Sequence, residues 1–102
     1  MLCTVTVRRL KPGTYEAFRK AVEPTFWPAG LTNIKILRNE EDPDEVCTIG
    51  ELDMSSQDLE ALRDTPELLV AEAERIERIA EFTDTVVVNG VFALADELDP
   101  PA

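Results

Sequence analysis

Residues 3–10 alternate, with Cys3, Val5 and Val7 on one side and Thr4, Thr6 and Arg8 on the other. A period of two in largely β-branched residues predicts a strand. Lys11-Pro12-Gly13 ends it, because proline lacks an amide donor and glycine tolerates a reversed backbone. The period then lengthens to that of a helix. Thr14 stands at its N-cap with Glu16 in the first turn, and Tyr15, Phe18, Val22 and Phe26 share one side. Pro24 should disturb this helix, and Pro28 with Gly30 behind it should finish it. Residues 32–38 read as a second strand, with Ile34 and Ile36 on one face and Asn33, Lys35 and Leu37 on the other. An acidic turn around Pro43 returns the chain into a third strand, Val46 to Leu52.

Ser55 opens the next helix with Asp58 at its third position, a shortened capping box, and turns Leu59 and Leu62 inward. Thr65-Pro66 is a second cap with proline at the first helical position, so a new helical segment runs from there to about Phe82. Between Thr85 and Leu94, Asn89-Gly90 parts two apolar runs. That is a hairpin signal, giving a fourth and a fifth strand; one long strand kinked at Gly90 is the alternative. Two short strands are preferred. The order β-α-β-β-α-β is ferredoxin-like, an α+β fold with the first and third strands central in an antiparallel sheet. It occupies residues 1–95, followed by an acidic, proline-ended tail, 96–102, expected to fray.

Both faces of such a sheet read as dry. Cys3, Val5, Val7, Ile34, Ile36 and Ile49 make one apolar set; Thr4, Thr6, Val46, Thr48, Gly50 and Leu52 make an uncharged second one. Two helices cover one face only, so the other calls for a second copy of the chain, a homodimer closed sheet to sheet. Cys3 and Cys47 each begin a central strand and are expected as close neighbours on parallel strands, both reduced, both behaving as small buried hydrophobes.

Charge narrows the partners. The 102 residues carry 10 Lys and Arg against 21 Asp and Glu, a net −11, with no histidine. The excess is uneven, +4 over residues 1–22 and −15 over the remainder. A chain this acidic is repelled by phosphate backbones and anionic leaflets, so neither nucleic acid nor membrane is expected as a partner. The longest apolar stretch, Val91 to Ala95, is far too short to span a bilayer. The N-terminus places its charges after its apolar part, the reverse of a secretory signal, which reads as a cytoplasmic protein. Without histidine there is no Ser-His-Asp or Cys-His pair and no imidazole for haem or zinc. The acidic run Glu40-Glu41-Asp42-Pro43-Asp44-Glu45 lacks the glycine of a calcium loop and reads as a solvated turn. No G-x-G-x-x-G fingerprint occurs. The expectation is no haem, flavin or metal.

With this order of elements, three local stretches carry a resemblance. They are Leu10-Lys11-Pro12-Gly13 with Tyr15 and Phe18, Thr48-Ile49-Gly50-Glu51-Leu52, and Leu59-x-x-Leu62-x-x-Thr65-Pro66-Glu67-Leu68. Over residues 3–95 the chain resembles the dimeric α/β-barrel superfamily, in particular the antibiotic biosynthesis monooxygenase-like domains. The resemblance implies a homodimer whose sheets face each other and a hydrophobic cavity between sheet and helices. It also implies, for some members, oxidation of polycyclic quinols by O₂ without a cofactor; others degrade haem, isomerise lactones or have no known activity. The chain departs from the family pattern at three places. Glu51 matches the Glu-x-Trp at the end of the third strand but Asp53 stands where the Trp would be, and Leu62 and Glu67 occupy positions where histidines are often found. Haem degradation is therefore disfavoured, and quinol oxidation loses its usual polar residues.

Five residues stand out as candidates. Glu72 falls inside the apolar arc of Leu68, Leu69, Ala73, Ile76, Ile79 and Ala80. A carboxylate there pairs, protonates or lines a cavity; it is the candidate catalytic acid or base, against a plain pair with Arg75. Trp27, between Pro24 and Pro28, and Phe26 beside it are candidate ligand walls, or for Trp27 an apolar anchor in the core or at the dimer contact. Asn33 and Asp53 lie near strand ends where cavities open. Arg8, Arg9 and Arg38 could meet a ligand anion but more often sit in surface ion pairs. Two functions remain open: a cofactor-free monooxygenase or isomerase acting on a hydrophobic, aromatic, quinol-like small molecule, and a non-catalytic binding or structural dimer.

Overall fold

The computed structural model describes residues 1–101. Strand β1 (Leu2–Leu10) is followed by helix α1 (Tyr15–Ala21), strands β2 (Leu31–Arg38) and β3 (Glu45–Leu52), helices α2 (Ser56–Arg63) and α3 (Pro66–Ala80), and strand β4 (Thr83–Ala93). All pairings are antiparallel and the sheet order is β2-β3-β1-β4. This is the ferredoxin-like arrangement, with its second helix broken in two at Asp64-Thr65. Among the described residues, no helix is long and apolar enough to cross a membrane.

Local chemistry sets most boundaries. Gly13 adopts φ 74° to turn the chain out of β1, and the Thr14 hydroxyl donates to the Lys11 carbonyl (2.7 Å). Thr14 is thus the N-cap residue without capping the helix through its side chain. Helix α1 stops at Ala21, earlier than the apolar spacing through Phe26 suggested. Pro24 cannot donate to the carbonyl a turn back and bars the helical conformation from the residue before it, so Phe26 lies in the connection to β2. The capping box of α2 forms as read: the Ser55 hydroxyl accepts from the Asp58 amide, and the Asp58 carboxylate accepts from the Ser55 amide. Pro66 opens α3, while Thr65 makes no side-chain capping bond.

The C-terminal segment corrects the hairpin expectation. Thr83–Ala93 is a single strand that pairs with β1 from Leu10 to Leu2, Asn89 opposite Thr6 and Gly90 opposite Val5. A type I′ turn needs positive φ at both central residues, and among the described residues only Gly13 and Gly30 have it. The irregularities fall instead near Val86–Val88 and Thr83–Thr85, where the register against β1 shifts.

Register also corrects two side-chain placements. Ile34 pairs with Gly50 and Ile36 with Thr48, so both lie on the face of Thr4, Thr6 and Thr48, not with Val5 and Val7. Cys3 stands opposite Glu51 and Cys47 opposite Val7, because β1 and β3 run antiparallel. Four rungs at ~3.3 Å each separate the thiols, well beyond disulfide reach. Both cysteines are free and partly exposed.

The helices cover the Thr4–Thr48 face, and the core there has two parts. One gathers Leu10, Phe18, Ala21, Val22, Val46 and Ile79; the other gathers Leu2, Leu52 and Leu59 with Leu31, Met54 and Leu62 against them. Between them, the inward positions of β1 and β3 are Thr4, Thr6, Thr48 and Gly50. Side chains this small do not reach the helices. The sequence leaves a gap in the middle of the layer, and that gap is the site. On the opposite, uncovered face stand Cys3, Val5, Val7, Cys47, Ile49, Val88 and Phe92, rimmed by the ion pairs Arg9–Asp42 (2.6 Å) and Lys35–Glu51 (2.7 Å).

Candidate functional site

The gap is a cavity of about 800 Å³ between the sheet and α3, closed at one end by the connection after α1. That is within the ~300–1,000 Å³ of small-molecule sites. Phe26, Pro28, Ile34, Leu68, Ile76 and Val91 supply apolar wall. Polar groups come from two sides.

On the sheet side, the Thr6 hydroxyl donates to Asn89 Oδ1 (3.1 Å), and Arg8 Nη1 donates to Thr48 Oγ1 (3.2 Å). Arg8 is 9% exposed, with its guanidinium 5.9 Å from the centre of the Phe18 ring. Among the described residues it has no carboxylate within ion-pair distance. Burial pushes the guanidinium below its ordinary value and the nearby Arg75 adds to this, while Glu72 pulls the other way. On the helix side, Arg75 Nε and Nη2 donate to Glu72 Oε1 and Oε2, each at 3.0 Å, and Nη1 reaches the Val22 carbonyl (3.4 Å). The charged lining is Arg8, Arg63 and Arg75 against Glu72 and Asp84. A chain of net −11 thus holds a cavity with a positive excess.

The candidate residues scatter over three places. Glu72 and Phe26 both line the cavity. Glu72 combines two of the roles its sequence position allows, since it faces the cavity and pairs with Arg75, its side chain 41% exposed. Trp27 is 51% exposed and turned away from the lining. Asp53 borders a separate hollow of about 460 Å³ with Ala29, Gly30, Met54 and Leu62. Asn33 sits on the uncovered sheet face, where its Nδ2 donates to Glu51 Oε2 (3.4 Å) and its buried Oδ1 has no protein partner. Lys35 holds the Glu51 carboxyl below its ordinary value, with help from Asn33.

Thr48 and Asn89 escaped the sequence reading as site residues, and the Glu72–Arg75 pair was one of its alternatives. Arg8, read there as one of three arginines more often found in surface ion pairs, is buried in the cavity wall. For Arg8 a signal existed. It shares strand parity with Leu2 and Leu10, both buried, so an inward arginine was implied once that parity was taken as the helix-facing one. Chemically, the site can bury an apolar ring against Phe26 and Ile76, offer hydrogen bonds from Thr6, Thr48 and Asn89, and exchange a proton at the Glu72 carboxylate.

No protein-family model matches the chain, and no curated protein matches it. Solved structures do. A "putative antibiotic biosynthesis monooxygenase" from Chloroflexus aurantiacus J-10-fl superimposes with TM-score 0.69 at 15% identity, over 96% of this chain and 96% of that one. Proteins of the same name from Nitrosomonas europaea (TM-score 0.67, 17% identity, 94% and 100%) and Bordetella bronchiseptica (0.69, 12%, 92% and 96%) match as well. The chain has the fold of the antibiotic biosynthesis monooxygenase-like proteins over nearly its whole length.

Proposed function

We propose that this protein is a cofactor-independent monooxygenase that oxidises a hydrophobic, aromatic, quinol-like small molecule in the cavity between α3 and the sheet. The observation that carries the reading is the apolar cavity of about 800 Å³ with a carboxylate on its wall, in a fold shared with proteins named as putative antibiotic biosynthesis monooxygenases. Glu72 takes the hydroxyl proton of a bound phenol, and the electron-rich ring then reacts with O₂. One oxygen atom becomes a quinone carbonyl and the other leaves as water, the substrate supplying all four electrons. Phe26 packs on the ring and Thr48 and Asn89 orient its oxygen.

The functional unit is a homodimer closed through the uncovered sheet face. In support, Val5, Val7, Ile49 and Phe92 stand there without cover from any helix. Sedimentation at micromolar concentration should report twice the chain mass, and Val7→Asp should halve it. A wild-type monomer refutes the dimer.

Aerobic incubation with 1-naphthol under ¹⁸O₂ tests the activity. The expected result is 1,4-naphthoquinone with one labelled carbonyl, formed much more slowly by Glu72→Gln. No product from this or larger phenols favours the second reading, a non-catalytic small-molecule-binding dimer. The bidentate hold of Arg75 on Glu72 speaks for that alternative, since both carboxylate oxygens already have a partner.

A further inference from the structure

Arg8 is the least explained charge in the molecule. It extends from a central strand into an apolar cavity, over nine-tenths buried, and among the described residues its one side-chain hydrogen bond goes to a neutral hydroxyl, that of Thr48. A guanidinium has five N–H donors. The carboxylate facing the same space, Glu72, has both oxygens engaged by Arg75. Asp84, the other acid in the lining, makes no ion pair with Arg8. Phe18 lies against the guanidinium at 5.9 Å without accepting its hydrogen bonds. A buried cation with unfilled donors is costly unless something anionic completes it, and within reach that something must enter through the cavity.

We propose that Arg8 is an anion anchor, and that the cavity takes an apolar ring system bearing one singly charged oxygen anion, a carboxylate or an ionised phenol or enol. The anion lies in the plane of the Arg8 guanidinium beside the Thr48 hydroxyl, and the ring extends toward Phe26, Ile34 and Ile76. Arg75 and Arg63 add to the attraction, while Glu72 and Asp84 temper it, which selects one negative charge over two. The inference rests on the proposed use of the cavity for apolar rings and adds the charge of the occupant.

Calorimetric titration of the full chain with two matched pairs tests it: 2-naphthoate against 2-naphthamide, and 2-hydroxy- against 2-methoxy-1,4-naphthoquinone at pH 7.5. The ionised member of at least one pair should bind ten times or more tighter than its neutral counterpart, and the pair that shows the preference identifies the anion. Arg8→Met should bring that ratio to within twofold, and Arg8→Lys should keep part of it, with circular dichroism confirming the fold of both. Equal binding within both pairs overturns the anchor but leaves the cavity reading standing. A preference that survives in Arg8→Met also overturns it. Binding of neither member of either pair removes both readings together. The preference of the wild-type protein needs no variant, so it tests the proposal even if a substitution at Arg8 prevents folding.

Discussion

Arg75 holds Glu72 by both oxygens, Nε to Oε1 and Nη2 to Oε2, each at 3.0 Å, one turn apart on α3. The pair faces the cavity, and its geometry fixes the carboxylate in one orientation. A base so positioned loses little entropy in use, but it must share its lone pairs with Arg75.

Glu72→Gln separates those roles. The amide keeps the shape and loses the charge, so stability should fall by less than about 1 kcal/mol, as for a part-exposed ion pair. Quinol turnover should fall roughly 100-fold if the carboxylate is the base. Thermal melting and oxygen uptake give the two numbers, and unchanged turnover removes Glu72 from the chemistry.

Gly50 controls the cavity floor. A Cβ built there would stand 2.5 Å from Thr4 Oγ1 and 3.6 Å from Leu31 Cδ1. Gly50→Ala should therefore cost about 1–3 kcal/mol through overpacking. Thr4→Ala removes the obstructing oxygen, so a double-mutant cycle should show recovery of about 1 kcal/mol in the pair. Additive costs in urea unfolding would mean that the conflict lies elsewhere.

Gly30 has a different constraint. It sits at φ 96°, with Met54 Cε 2.5 Å and the Asp53 carbonyl 3.3 Å from an added Cβ, and its own carbonyl accepts from the Asp53 amide (2.7 Å). Gly30→Ala combines backbone strain with contact and should cost about 1–3 kcal/mol. Measured stability within a few tenths of wild type contradicts this.

Acid sensitivity should trace to the rim of the uncovered face. Asp42 is held below its ordinary 3.8 by Arg9, and Glu51 below its ordinary 4.5 by Lys35. A carboxylate depressed in the folded state lends stability above its unfolded value and loses it as pH falls toward the folded one. The acid limb of a stability profile should thus begin near pH 4.5 and extend below 3.8. Lys35→Met should flatten its upper part, most visibly at low salt. An unaltered limb in that variant argues against the assignment.

Where local chemistry decides, the chain could be read directly. The Ser55–Asp58 box and the proline start at Pro66 need no information from outside their own turn. Asn89-Gly90 misleads because its turn preference is weaker than nine rungs of pairing with β1, a partner some eighty positions away. The face of Ile34 and Ile36 was misread for a similar reason, since β2 takes its register from β3 and carries an irregularity between Leu31 and Asn33. Glu72 was visible as a charge within an apolar helical arc. Arg8 reads in the sequence as one of three arginines more often found in surface ion pairs, because its burial comes from stacking α1 and α3 on the sheet rather than from its neighbours in sequence.

Strand β4 lies at the edge of the sheet, eleven residues long and bearing a single charge, Asp84. Its outer side presents unpaired amides and carbonyls along Val86-Val87-Val88 and on to Val91-Phe92, all solvent-exposed. Natural edges usually carry lysines, prolines or a covering loop against strand addition by a neighbour. This one has its bulges near Val86 and Asp84 and otherwise depends on mutual repulsion between molecules of net −11. Colloidal stability is therefore ionic in origin. Concentrated salt or mild acid, which weakens that repulsion without filling the edge, should turn a dilute solution toward fibrillar association that begins at β4.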